Sequence, residues 1–344
     1  MATSSPTFEL FTSLRYDPSL LQSAENSSPD FSFSSPSPFY MLVYHRDRML
    51  EAAQHFEWSE VAKKLEDGQA LADTLLEKVV EYQKSTGTEG PLKIRILFSI
   101  TAALSVELSP VPAVPLSTLY PPSFTPPTPP SPPHPANTFK PSPRTGGALT
   151  LGPTDSLPAS SPPDLQPPTW TLKLDPLPTS ITPFTSLKTT ERTHYDSSRT
   201  RALPPPAYSS QPALVEVMLR NPCDELTEGS MTSLYLFRGG RWVTPPVGVP
   251  AGRYAEEVKP GDVGDGGLPG KDEGELRTPF PGRWGHSVRS AKVGSGGQRG
   301  TTRRWALGKG LCMEEPVLAE TVRVGEGMWV SNGVRGFGFG RVVE

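Results

Sequence analysis

Between Pro110 and Pro168 the chain loses the means to build a core. Proline, serine and threonine dominate, in runs such as Pro126-Pro127-Thr128-Pro129-Pro130. Ordering such a stretch costs backbone entropy that its few apolar side chains cannot offset. It reads as a disordered insertion, 110–168, with polyproline character. The 344 residues are thereby divided into an N-terminal domain, 1–109, and a C-terminal domain, 169–344. A second stretch, 255–299, is rich in glycine and charge and reads as a flexible insertion inside the C-terminal domain. These two stretches hold many of the 42 prolines and 31 glycines, and they help lower the hydrophobic content to 35%, low for a globular chain.

Outside them the patterning is regular. Phe8 to Tyr16 reads as a strand that ends at Asp17-Pro18. Tyr44 to Phe56 reads as a helix, with Met49, Ala53 and Phe56 on one side. A short helix starts at Ser59 and stops at Asp67-Gly68. Gln69 to Lys84 is the clearest helix, because Leu71, Leu75, Val79 and Tyr82 recur at helical spacing. Leu92 to Phe98 and Ala103 to Leu108 alternate as paired strands. Further on, Trp170 to Leu174, Leu214 to Leu219, Thr232 to Phe237 and Met328 to Val330 read as strands. A helix follows from Thr302 to Gly308 or Lys309. Strands and helices in this order predict an α+β architecture.

Composition excludes several functions. A net charge of −3 gives no general pull toward nucleic acid or anionic membranes. No apolar run reaches the roughly 18 residues a membrane span needs. Five histidines are scattered without metal-ligand spacing, and Cys223 and Cys312 make neither a zinc pattern nor a disulfide framework. The expectation is no metal and a reducing compartment, the cytoplasm. Met1 to Leu10 has no basic start followed by an apolar run, so no secretory signal is expected. Pro205-Pro206-Ala207-Tyr208 fits a WW-domain ligand, and the 110–168 stretch could dock SH3-like grooves, although such motifs arise readily in this composition. Arg335-Gly336-Phe337-Gly338-Phe339 has the look of an aromatic RNA-binding strand. That strand must be followed by another helix and strand, and the sequence stops at Glu344, so RNA binding is not expected.

Four short segments carry chemistry. Tyr44-His45-Arg46-Asp47-Arg48 offers an anion-binding arginine. Lys188-Thr189-Thr190 offers an amine. Leu226-Thr227-Glu228-Gly229-Ser230 offers a carboxylate, and Gly300-Thr301-Thr302-Arg303 a hydroxyl-rich helix start. A phosphorylated aldehyde cofactor with a basic ring nitrogen needs that set. Each residue also has a bland reading. Lys188 could be a solvated surface lysine, Glu228 a turn residue, Arg48 an exposed helix arginine and the threonines a plain helix cap.

These segments resemble the class IV pyridoxal-phosphate enzymes, a group that includes branched-chain aminotransferase, D-amino-acid aminotransferase and aminodeoxychorismate lyase. His45-x-x-Arg48 is similar to that family's H-x-x-R helix. Leu226 to Thr232 is similar to its T-E-(G/S)-S segment, with Ser233 where the family has Asn. Ser331-Asn332-Gly333-Val334-Arg335-Gly336 resembles a late N-S-L-R-G-like segment. Phe11 to Pro18 resembles the E-T-L-R-Y-D-P opening strand of the lyase group. The resemblance implies a two-domain fold-type IV (D-amino-acid aminotransferase-like) enzyme, a homodimer, and pyridoxal 5′-phosphate in the cleft.

By that resemblance Lys188 holds the aldehyde and then serves as the base at Cα. Glu228 keeps the pyridine nitrogen protonated. Arg48 clamps the phosphate, while Arg46, two residues away, points from another helix face. Thr301 and Thr302 bind the phosphate at a helix start, with Asn332 near it. Arg15 or Arg335 is a guess for a substrate carboxylate. The run Leu14 to Pro18 favours aminodeoxychorismate lyase, which eliminates pyruvate from 4-amino-4-deoxychorismate to give the folate precursor 4-aminobenzoate. A class IV aminotransferase acting on branched-chain or D-amino acids with the same residues is the alternative. A proline-rich interaction protein with a degenerate enzyme domain is the reading from another class.

Overall fold

The computed structural model describes residues 8–127, 169–203, 214–247 and 296–344. The WW-type motif at 205–208, most of the 110–168 insertion and residues 255–295 of the second lie outside the described residues.

The first lobe is a three-stranded antiparallel sheet in the order β1 (Leu10–Tyr16), β2 (Leu92–Phe98), β3 (Leu104–Pro110). Alternation along β2 sorts its faces. Leu92, Ile94, Ile96 and Phe98 are buried under helices α1 (Leu42–His55), α2 (Ser59–Glu66) and α3 (Gly68–Thr86). Lys93 and Arg95 therefore face the other way. α3 forms where the apolar spacing predicts. The Asp67 carboxylate caps it by accepting from the Ala70 N–H at 2.9 Å. Gly87, at φ +66°, ends it in the left-handed conformation that glycine adopts without a Cβ clash.

The second lobe is an eight-stranded mixed sheet. Its strands are β4 (Trp170–Leu174), β5 (Val215–Arg220), β6 (Leu226–Gly229), β7 (Ser233–Arg238), β8 (Arg241–Thr244), β9 (Met313–Glu314), β10 (Gly327–Asn332) and β11 (Gly336–Val342). The order is β6-β5-β4-β11-β10-β7-β8-β9. Strands β5, β4 and β11 run parallel, and the β10–β11 and β7–β8 pairs are antiparallel hairpins. Short helices α4 (Leu116–Leu119) and α5 (Pro183–Ser186), then α6 (Thr193–Ala202) and α7 (Thr301–Gly308), complete an α+β fold, as the strand and helix patterning predicts.

The expected disorder from Pro110 needs correcting over its first part. Residues 111–127 run across the second lobe as an ordered strap. Leu119 is fully buried and Phe124 nearly so. Phe124 packs its ring against Tyr235 at 4.9 Å, Phe337 at 5.5 Å and Trp329 at 5.6 Å. Tyr40 donates to the Leu119 carbonyl, and Tyr120 donates to Asn26 Oδ1 at 2.6 Å. The average composition of 110–168 concealed a local cluster of Val114, Leu116, Leu119, Tyr120 and Phe124. With Leu20, Tyr40, Trp305 and Phe337 they form a core shared by the two lobes.

Phe124→Ala should cost about 3–5 kcal/mol of stability and speed proteolytic cutting within 111–127. Chemical denaturation with limited proteolysis checks this; unchanged stability would show the strap to be incidental.

Candidate active site

A cleft of about 390 Å³ lies where the polar face of the first sheet meets the second lobe. Of the residues singled out in the sequence, Arg48, Lys188, Glu228, Thr301, Thr302, Asn332 and Arg335 line it. They reach it from separate elements.

Lys188 follows α5 and arrives by backbone pairing. β1 is an edge strand of the first sheet, and residues 188–190 occupy its open side. Phe11 N–H donates to the Lys188 carbonyl at 3.1 Å, and Thr190 N–H donates to the Glu9 carbonyl at 2.9 Å. Thr190 Oγ1 accepts from Glu9 N–H at 2.8 Å. The amine then sits 5.2 Å from the centre of the Phe11 ring. Burial, with the Arg192 and Arg48 charges, holds the Lys188 pKa well below that of an ordinary lysine, against the opposing pull of Glu228.

Glu228 is the third residue of β6, whose short length leaves the side chain at the cleft floor. Tyr195, on α6, donates its hydroxyl to Glu228 Oε1 at 2.5 Å, and Gln298 Nε2 donates to the Tyr195 oxygen at 2.9 Å. Burial raises the Glu228 carboxyl to about 7 despite these donors. Tyr195 is pushed well above the ordinary tyrosine value by burial and by Glu228.

The same cleft holds groups suited to an anion. Arg48, on α1, is buried and still cationic at neutral pH, with burial lowering its pKa to about 10. Its Nη2 donates to Thr12 Oγ1, while its Nε is buried with no hydrogen-bond partner among the described residues. A buried guanidinium N–H without an acceptor is costly unless a ligand supplies one. Facing it is the N-terminus of α7. The first amides of a helix have no acceptor within it, and Gly300, the N-cap, has no side chain to offer them. Thr301 and Thr302 are buried there. Thr302 Oγ1 lies 2.8 Å from Ser331 Oγ, which lies 2.7 Å from the Tyr235 hydroxyl. Ion pairs across the seam hold the two ends in place: Arg304 with Asp47 at 2.8 Å, and Arg299 with Glu51.

One expectation changes. Arg15 does not line the cleft. It is 1% exposed, with Nε bonded to Asp17 at 2.7 Å, and with the Pro112 carbonyl at 2.8 Å and that of Val334 at 3.3 Å as further acceptors. It ties β1 to the strap and to the β10–β11 turn, so its donors are unavailable to a substrate. Asn332 lines the cleft, but its Oδ1 accepts from Val334 N–H at 3.0 Å and Arg335 N–H at 2.9 Å. Through that oxygen it shapes the turn between β10 and β11. Arg335 is half-buried on the cleft wall, with its guanidinium 5.6 Å from the Trp170 ring.

Sequence reasoning missed Tyr195, Gln298, Lys93 and Arg95, all of which line the cleft. Gln298 sits in the described end, 296–299, of a stretch expected to be flexible, and it is buried with Arg299. Lys93 and Arg95 were visible as the polar positions of an alternating strand, though nothing local told which face would meet a ligand. Among the described residues no group of His, Cys, Asp and Glu side chains could hold a metal, and no helix is long and apolar enough to cross a membrane.

No protein-family model and no curated protein matches the chain. Solved structures do. A protein of Mesorhizobium loti, described as a candidate amino-acid aminotransferase, is similar over 98% of this chain and 100% of that one, at 14% identity and a TM-score of 0.50. A fold IV transaminase of Curtobacterium pusillum is similar over 97% of this chain and 76% of that one, at 10% identity and 0.48. The 4-amino-4-deoxychorismate lyase of Pseudomonas aeruginosa is similar over 98% and 83%, at 14% identity and 0.46. The chain shares the fold of the Mesorhizobium loti protein. At these identities the likeness speaks to the fold alone.

The raised carboxyl of Glu228 sets a pH dependence in the ligand-free protein. Between 4.5 and about 7 the folded state keeps a proton that the unfolded chain has released. Its contribution is therefore complete below about pH 4.5 and is lost as pH rises through about 7. Glu228→Gln should remove that loss, so its melting temperature gains on wild type from about pH 5 to about pH 8. Parallel melting curves across this range would contradict the assignment.

Proposed function

We propose that the chain is a pyridoxal 5′-phosphate-dependent enzyme, and that it eliminates pyruvate from 4-amino-4-deoxychorismate to leave 4-aminobenzoate. The observation that carries the cofactor is the charge layout of the cleft. A neutralisable amine and a buried carboxyl share the cleft with a buried guanidinium that has an unpartnered N–H and with a helix N-terminus. That fits a ligand with an aldehyde and a ring nitrogen at one end and a phosphate at the other. Lys188 would hold the aldehyde, Glu228 would accept the ring N–H, and Arg48 with the α7 amides, Thr301 and Thr302 would hold the phosphate. When bound, the cofactor supplies a carbonyl for the substrate amine and a cationic ring that draws electrons from the bond being broken.

The chain's own residues supply the rest. Lys188, with its amine tuned toward the neutral form, accepts the proton from the carbon bearing the substrate amine. Tyr195, itself held by Gln298, fixes the Glu228 carboxylate in the cleft. Lys93, Arg95 and Arg335 give the outer wall a positive field offset by Glu107, which pairs with Arg95 at 3.0 Å. A substrate with two carboxylates suits such a wall. That field, together with the Leu14 to Pro18 run, favours the lyase. The fold likeness to an amino-acid aminotransferase favours a second reading, transfer of an amino group to a 2-oxo acid by the same residues.

Incubation with aminodeoxychorismate in the absence of any oxo acid should release pyruvate. Lys188→Ala should lower the rate by at least about 10²-fold. Turnover only when a 2-oxo acid is added selects the aminotransferase; turnover by Lys188→Ala at the wild-type rate removes both readings.

A further inference from the structure

His45 is completely buried at the seam between the lobes, and the reading above gives it no task. It touches polar groups from three elements. Thr12 Oγ1, on β1, lies 2.7 Å from its Nδ1, and Arg48 Nη2 approaches the same nitrogen at 3.4 Å. Thr301 Oγ1, on α7, lies 3.4 Å from Nε2. Gly333 presses on the ring: a Cβ there would stand 2.5 Å from His45 Cε1 and 2.6 Å from Nε2. The ring is pinned in one orientation.

The donors fix the direction of these bonds. Thr12 Oγ1 accepts from Arg48, and its own hydroxyl proton remains to be donated to Nδ1. With the Arg48 Nη2 donor 3.4 Å away on the same side, the arrangement favours Nδ1 as the accepting nitrogen. A neutral ring then carries its proton on Nε2 and donates to Thr301. Burial, with the charges of Arg48 and Lys188, keeps the ring neutral. Thr301, once it accepts from His45, has its own hydroxyl proton left to donate into the cleft.

We propose that His45 is a positioning residue that relays hydrogen-bond direction from Arg48 through Thr12 to Thr301, so that the Thr301 hydroxyl is set as a donor to a phosphate ester. The relay rests on the phosphate reading of this end of the cleft. It makes the two halves of the anion site, one from each lobe, cooperate through a side chain that never touches the ligand.

The test compares the affinities of pyridoxal phosphate and of pyridoxal, which lacks the phosphate, for wild type, His45→Phe, Thr301→Val and the double variant. Each single variant should weaken pyridoxal phosphate about tenfold and leave pyridoxal unchanged. The double variant should be no weaker than either single one. His45→Gln, which keeps a donor on the Thr301 side, should recover part of the loss and stands in if His45→Phe does not fold. Losses that multiply in the double variant, or an equal loss for pyridoxal, overturn the relay while wild-type preference for the phosphorylated ligand upholds the pocket. A wild type that binds both ligands equally overturns the relay and the phosphate reading together.

Discussion

The backbone pairing between residues 188–190 and the open edge of β1 is the contact on which the site depends. An edge strand exposes unpaired N–H and C=O groups. Here a segment that belongs by sequence to the second lobe fills that edge. Lys188 is thereby fixed by hydrogen bonds to the first lobe while its amine faces carboxylates of the second. Backbone pairing positions the side chain more firmly than a free loop could, because its register with Phe11 is set by the two bonds that pair Thr189 with Leu10. The same strand presents Thr12 to α1 on one face and Phe11 and Ser13 to the cleft on the other. One seven-residue strand thus sets the distances among the amine, the anion end and the outer wall.

Around that seam the charges are arranged to be tunable. Lys188 and Arg48 lie in the same cleft as Glu228, and burial pushes each toward its neutral form. For Arg48 the shift leaves the cation intact at neutral pH. For Glu228 it brings the two protonation states close in free energy near neutral pH, and for Lys188 it favours the neutral amine that a base must be. The fixed charges are kept elsewhere: Asp47 with Arg304, Glu51 with Arg299, and Arg15 with Asp17 close the seam without entering the cleft. Structural ion pairs and chemically active groups occupy adjacent positions on α1, separated by which face of the helix they leave.

Much of this was legible in the sequence where the signal is local. α3 follows from Leu71, Leu75 and Val79 with an aspartate before and a glycine after. β2 follows from its alternation, and Arg48, Glu228 and Thr301 from short motifs whose chemistry is unusual. The rest is tertiary. α6 carries no apolar stripe; it is held by Tyr195 and Ala202 packing beneath it and by polar contacts, so no periodicity announced it. β11 stays out of the strands expected for this fold because glycine is a poor strand former. Gly338 and Gly340 are there because Trp170 lies against them, at 2.2 Å and 2.7 Å from where a Cβ would stand. Phe124 was hidden by the prolines around it, and Gln298 by the glycines before it. Arg15 shows the reverse error: a motif arginine taken for a ligand contact is a strut, because its partners, Pro112 and Val334, are distant in sequence.

The claim at the centre is that the amine of Lys188 alone, of the two lysines in the cleft, is the one that meets an aldehyde. Adding pyridoxal phosphate, reducing with borohydride and mapping the modified peptide by mass spectrometry tests it directly. The account predicts one label per chain, on Lys188. A label on Lys93 or spread over surface lysines would contradict it.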